Sequence, residues 1–509
     1  MVETRTVKAK KNVISTLMQN ILNILLTFVS RIIFVRILDA GYLGINGLFS
    51  NVLNILSLAD LGMGTAMMYR LYKPLAEGDT KKISALISFF RKIYLIIAFL
   101  IFLIGLAVIP FLDYIVKLDN PIPGLKVYYL MALLNVVISY LFVYRTTLLT
   151  ADQKGYILNK YIMIFKCITF IAQTIVLILF KNYYMYLLAA LIISFLSNLF
   201  QNFIALKNYP FLKSKACNLD INEKRQIGID VKATFLYKIC GTIQGNTDNI
   251  LISIFVGTVF VGYYSNYLMI VTAVTSIITL IFNSLKASIG NMIASDDTSL
   301  RKKYFLYSSF ELINFWIVGF CSICFLCLFQ KFIQIFFGNQ YMLEFSVVIV
   351  MILNFYTSNI RQTIWAFRET TGLFHETRYI TAVTAVINIF LSLLLGYYFG
   401  MKGIIAATVI ARMLYAWWKE PTILFKKFFK KSSKEYYIKY IKRIVLCAIT
   451  YFVTIYMCNL IHTNNMYIEF VCHIIMCLII PNIIFLICYF RTLEFKYIVS
   501  KLIRKKDNE

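Results

Sequence analysis

Charge is what this sequence has least of. Charged residues fill 15% of its 509 positions, where soluble domains carry about 25%, and only 24 of them are acidic against 51 basic. Histidine occurs three times, at His375, His462 and His473, with no spacing that suits a metal site or a catalytic triad. No cofactor and no metal is expected from these residues. Gly257-Thr-Val-Phe-Val-Gly262 has the glycine spacing of a P-loop, but Tyr263 and Tyr264 stand where Lys and Ser/Thr would hold phosphate and magnesium, so ATP hydrolysis by that route is excluded. A cleavable signal peptide is not expected either. The apolar run after Lys8, Lys10 and Lys11 is longer than a signal's roughly 7 to 15 residues.

The eleven cysteines do not compose a disulfide or zinc framework. Most, such as Cys240, Cys447, Cys458 and Cys488, fall inside apolar runs and read as small hydrophobes. Cys321, Cys324 and Cys327 share one helical stripe, but a zinc site needs about four ligands, and a packing stripe is the simpler reading. Cys472 beside His473 is weaker still.

What the chain does have is hydrophobicity, 60% of residues with a mean hydropathy of +0.74. Apolar runs of the roughly 20 residues that span a bilayer recur along its whole length. The expected fold is all-α and polytopic, with about fourteen transmembrane helices. They fall near residues 12–38, 43–68, 84–112, 125–148, 161–180, 186–206, 233–256, 262–288, 306–329, 345–368, 378–398, 403–425, 443–461 and 468–490.

This division explains the net charge of +27 better than nucleic-acid binding does. The N-terminus, the even-to-odd connections and the tail carry about 32 Lys and Arg, against about 4 in the other connections, which is the positive-inside asymmetry. A multi-pass cell-membrane protein with both termini cytoplasmic is expected, its basic clusters touching anionic lipid headgroups.

An internal repeat is visible. Phe34 to Phe49 lies on Ile252 to Tyr267 at a constant offset of about 218, which sets Gly44 on Gly262. In each half the glycine would follow a short outer turn, permitting close backbone approach as the next helix begins. The expected divisions are 1–206 (helices 1 to 6), a linker at 207–232, 233–425 (helices 7 to 12), and 426–509 with two further helices and a basic tail.

An ionisable side chain inside a bilayer costs about 2.5 to 3.5 kcal/mol on insertion scales, so each one needs a reason. Arg31, Asp60, Lys166, Lys238, Asp248, Arg361 and Arg412 are the candidates for a substrate path. Arg36, Lys286 and Arg368 lie near helix ends, where pairing or snorkelling accounts for them. An excess of Arg and Lys around a watery path favours an anionic headgroup, phosphate above all. Asp60 and Asp248 would bind a coupling cation or steady a cationic neighbour. Asn23, Gln173, Gln244, Asn314, Asn354 and Asn388 within the spans, and the 35 tyrosines, suit helix–helix links and membrane interfaces as well as a sugar path.

Four stretches carry a family resemblance: Ser30-Arg31 through Gly44, Asp60-Leu-Gly62, Thr247-Asp-Asn-Ile-Leu-Ile-Ser253 with Gly262-Tyr-Tyr-Ser265, and Arg361-Gln-Thr363. With length and span count, the chain resembles the Wzx-type polysaccharide flippases of the multidrug/oligosaccharidyl-lipid/polysaccharide exporter superfamily. The resemblance implies two pseudo-symmetric six-helix lobes plus two C-terminal helices, around a cavity that opens alternately to each side. The implied cargo is a polyprenyl-diphosphate-linked oligosaccharide carried to the outer leaflet, with Arg31 and Asp248 as cavity positions and H⁺ or Na⁺ as an optional coupling ion. A lipid II flippase and a drug or cation antiporter of the same superfamily are the near alternatives. A membrane polysaccharide polymerase or acyltransferase is the distant one, disfavoured because every outer connection is short and no reactive constellation stands out. No catalytic residue and no nucleic-acid partner is expected.

Overall fold

The computed structural model describes residues 5–57, 63–118, 122–213, 219–294, 299–461 and 463–504. The described residues are helical almost throughout, with no strand among them. Two compact units, Met1–Gly262 and Tyr263–Glu509, divide the chain.

In the first unit the helices are α1 (Arg5–Ile37), α2 (Ala40–Leu56), α3 (Met63–Glu77), α4 (Thr80–Val108), α5 (Leu112–Ile115), α6 (Leu125–Tyr140), α7 (Val143–Ala151), α8 (Gly155–Phe180), α9 (Tyr183–Asn208) and α10 (Ile221–Phe255). The next helix, α11 (Thr258–Ala294), crosses the division. The second unit continues with α12 (Leu300–Phe336), α13 (Phe345–Asn359), α14 (Gln362–Thr370), α15 (Phe374–Ala411), α16 (Trp417–Leu424), α17 (Lys434–Asn459), α18 (Met466–Tyr489) and α19 (Leu493–Arg504).

Helices start where a short polar side chain satisfies backbone N–H groups left over at the first turn. Asp79 accepts from the Lys82 N–H at 2.9 Å, Asn182 from Tyr184 at 2.8 Å and Asn465 from Tyr467 at 2.9 Å. Among the described residues, nine helices are long and apolar enough to cross a membrane. The longest of these stretches, Tyr379–Phe429, holds two of the spans expected from sequence, broken at Gly400 with φ +57° and ψ −138°. A further expected span is α6 with α7, bent by 47°. The remaining three fall on α2 and α3, on α10, and on α13 and α14, helices that are shorter or more polar.

In the first unit α1 packs on α8, α8 and α6 on α9, α4 on α6, and α10 on α2. The second unit is built around α12, which contacts α13, α14, α17, α18 and α19. Large apolar side chains face outward along the outer helices, including Leu179 at 69% exposure, Phe390 at 67% and Phe452 at 67%. A surface of that kind belongs in lipid.

The turns before α2 and α11 meet inside the first unit. Gly44 and Gly262 are each the fifth residue of their helix. A methyl group added at Gly44 would stand 2.0 Å from the carbonyl oxygen of Thr258, the first residue of α11, and one at Gly262 would stand 2.9 Å from that of Ala40, the first residue of α2. The α11 side is pinned by the Thr258 N–H donating to the Lys117 carbonyl at 2.8 Å and by the Ser253 hydroxyl donating to the Ile115 carbonyl at 2.7 Å.

Candidate functional site

A polar cavity of about 180 Å³ lies within the first unit. One stripe of α1 forms most of its wall: Asn23, Leu26, Thr27, Ser30, Arg31 and Phe34 follow the three- and four-residue steps that keep side chains on one helical face. From α8 come Lys166, Thr169, Phe170 and Gln173, spaced in the same way. Leu43 and Asn46 of α2 and Tyr186 of α9 complete it. Because α8 packs on both α1 and α9, the two polar stripes meet on one cavity.

Aromatic rings fix one end. Phe34 meets the edges of Tyr183 and Tyr186, with centroids 5.9 and 5.3 Å away, and the two tyrosines stack at 6.0 Å. The Tyr186 hydroxyl is within hydrogen-bond reach of the Ser30 and Gln173 side chains. The Tyr183 hydroxyl donates to Asn46 Oδ1 at 3.5 Å.

The charged side chains on this wall are Arg31 and Lys166, both cationic. Two cations, amides from Asn23, Asn46 and Gln173, and hydroxyls from Thr27 and Ser30 offer a fork of charged donors for an anion beside groups able to bind sugar hydroxyls. A desolvated arginine fork is the side chain best matched to phosphate oxygens.

Among the described residues, the others selected from the sequence do not line this cavity. Arg361, 5% exposed, pairs with the equally buried Glu420, which also accepts from Arg368 Nη1 at 3.1 Å and from Trp365 Nε1 at 3.0 Å. Arg412 Nη1 donates to the Asn354 carbonyl at 3.2 Å, to Asn354 Oδ1 at 3.0 Å and to Thr357 Oγ1 at 2.8 Å. Within the second unit, Arg361 therefore ties the α13–α14 junction to α16, and Arg412, just past the end of α15, is tied to α13. Asp248 is half-buried on α10 beside the buried Asn249. Lys238 is also on α10, but its side chain, like all of Asp60, lies outside the described residues. Lys286, placed near a helix end by the sequence, pairs with Glu369 at 2.6 Å.

The buried Glu420 escapes the sequence-based selection, and so does the buried pair of Glu311 and Arg443, 2.9 Å apart. Glu311 and Glu420 lie inside expected spans, so the rule that flags a charge in an apolar run would have found them.

No family model matches the sequence, and no curated protein does. Solved structures do. The lipid II flippase MurJ in an inward closed conformation is similar with a TM-score of 0.68 at 16% identity, over 94% of this chain and 98% of that one. An inward-facing multidrug-resistance MATE transporter of the MOP superfamily gives 0.53 at 15% identity over 78% and 91% of the two chains. A MATE transporter of Vibrio cholerae gives 0.52 at 13% over 84% and 99%. The chain has the fold shared by MurJ and the MATE transporters, and these structural neighbours are flippases and transporters, not enzymes.

Proposed function

We propose that this protein is a flippase that moves a polyprenyl-diphosphate-linked oligosaccharide from the cytoplasmic to the outer leaflet by alternating access. The observation that carries the reading is the joint placement of Arg31 and Lys166 on one polar, aromatic-rimmed cavity within membrane-spanning helices. Two cations on one wall, Arg31 and Lys166, recognise a diphosphate and repel the cationic cargo of a drug antiporter. In this reading residues 1–206 and 233–425 are the two lobes, 207–232 joins them, helices 13 and 14 follow, and both termini are cytoplasmic. Asp248 and Asp60 serve a coupling cation or hold a neighbour in place. Arg361 and Arg412 support the second lobe through the partners described above.

A lipid II flippase is the second reading. The MurJ likeness, with a higher TM-score than the two MATE transporters, supports lipid cargo without choosing its sugar.

No ATP is needed for such a step. An inside-negative potential drives an anionic headgroup outward with about 2.3 kcal/mol per charge per 100 mV.

The test is translocation of lipid-linked oligosaccharide and of lipid II in proteoliposomes, with and without an imposed potential. The intact protein should transport one of them and Arg31→Gln with Lys166→Gln should not, while remaining folded. Transport unaffected by both substitutions would remove the cavity from the mechanism, and transport of cationic drugs in its place would favour an antiporter.

A further inference from the structure

A second cavity of about 180 Å³ lies in the second unit, and its lining shares no residue with that of the first. It sits where the N-terminal end of α12, the N-terminal end of α17 and the C-terminal end of α18 come together, with the start of α19 at its side. Cations dominate it: Lys439, Lys442 and Arg443, three and four residues apart, share one face of α17. Ser308, Tyr489 and Thr492 line the same space, the Thr492 hydroxyl donating to the Tyr489 carbonyl at 2.7 Å, and Glu494 is the one carboxylate on the wall among the described residues.

These charges are not equally occupied. Arg443, 6% exposed, donates through Nη1 to the buried Glu311 at 2.9 Å. Lys439 pairs with Glu435 at 2.9 Å in an open contact one turn away, the kind of pair that water screens. Lys442 has no ion-pair partner among the described residues.

The setting is that of a lipid headgroup. α19 is an amphipathic helix laid on α12, its Phe495 stacked on Trp316 at 5.8 Å and its Tyr497 edge-on to Phe305 at 5.4 Å. Such helices lie at the depth of the headgroups. On the same helices, within four residues of cavity-lining positions, α17 exposes Ile441 at 56% and Val445 at 51%, and α18 exposes Leu486 at 44% and Ile487 at 64%, apolar surface on which acyl chains can lie.

We propose that this cavity binds the phosphodiester headgroup of an anionic glycerophospholipid, with Lys442 and Lys439 on the phosphate and Ser308 and Tyr489 as neutral donors. Glu494 sets the charge limit: it disfavours a doubly charged phosphate and leaves room for a singly charged diester. The site is independent of the transport reading, because its readout is lipid binding.

Native mass spectrometry of the full chain in detergent, titrated with phosphatidylglycerol, phosphatidylcholine and inorganic phosphate, tests it. Phosphatidylglycerol should bind in preference to phosphatidylcholine, and Lys442→Gln should weaken it about tenfold, the loss of one charge-assisted hydrogen bond. Glu494→Gln should strengthen it, and Lys501→Gln, outside the cavity, should leave it unchanged. Equal binding of both lipids, or phosphatidylglycerol binding that ignores Lys442→Gln while the variant unfolds at the same temperature as the parent, overturns the proposal. Inorganic phosphate that competes at equal concentration would make this a free-anion site and overturn the lipid assignment.

Discussion

Gly44 and Gly262 face each other with reciprocal contacts: each occupies the fifth position of its helix, and each lies against the carbonyl of the first residue of the other's helix. The pairing found in the sequence at a constant offset is thus also a pairing in space. Reciprocity of this sort, residue i on j and j on i, is the signature of local twofold symmetry. It gives the repeat a physical meaning that apolar resemblance alone does not.

Substitution at this crossing should be costly and unequal. Gly44→Ala brings a methyl group to 2.0 Å from a carbonyl oxygen, Gly262→Ala to 2.9 Å, so both should lower thermal stability, Gly44→Ala more. Overpacking costs of about 1–3 kcal/mol or more apply. Gly228→Ala, where nothing stands within 4 Å, is the control and should be neutral or slightly stabilising. Thermal unfolding of the detergent-solubilised variants measures all three.

Glu420 holds two arginines and an indole N–H in a site where it is 3% exposed. Glu420→Gln leaves two buried guanidinium groups without their counter-charge and should destabilise the second unit by about 3–5 kcal/mol. A double-mutant cycle with Arg361→Met should recover part of that loss. A cycle with zero coupling would show that the pair contributes nothing to stability.

At the candidate cavity, charge and shape separate. Arg31→Lys keeps the charge but loses the planar fork, so translocation should fall less than in Arg31→Gln and stay measurable. Initial rates in proteoliposomes with the two variants decide whether charge alone is enough.

Gly400 has φ +57° and ψ −138°, a region that only glycine enters without strain. Gly400→Ala should cost about 1–3 kcal/mol and be felt at the turn between the two expected spans 378–398 and 403–425. Limited proteolysis there should quicken relative to the parent.

The helical, membrane-spanning architecture was legible because apolar length is a local property of the chain. Breaks within a span were less so: the expected 345–368 is split at Ile360 and Arg361 into α13 and α14, and 125–148 is bent between α6 and α7. Arg31 and Lys166 could be chosen by the cost of burying charge, but their sharing of one cavity could not, because α1 and α8 lie over a hundred residues apart in the chain and only packing joins them. The stripe from Asn23 to Phe34 was visible as scattered polar residues and gains meaning once α8 supplies its own stripe opposite. Ion-pair partners were hidden for the same reason. Arg361 and Glu420 are separated by 59 positions, and nothing local links them.

The glycine crossing has a consequence for genetics. A clash with a side chain can be relieved by trimming that side chain, so a damaging substitution in an ordinary core has second-site suppressors among its neighbours. Here the nearest obstacle to a larger residue at position 44 is the main-chain oxygen of Thr258, and at position 262 that of Ala40. Every amino acid carries that oxygen. A search for intragenic suppressors of Gly44→Ala should therefore return few at residue 258 itself, and enrich instead for changes that let a whole helix move.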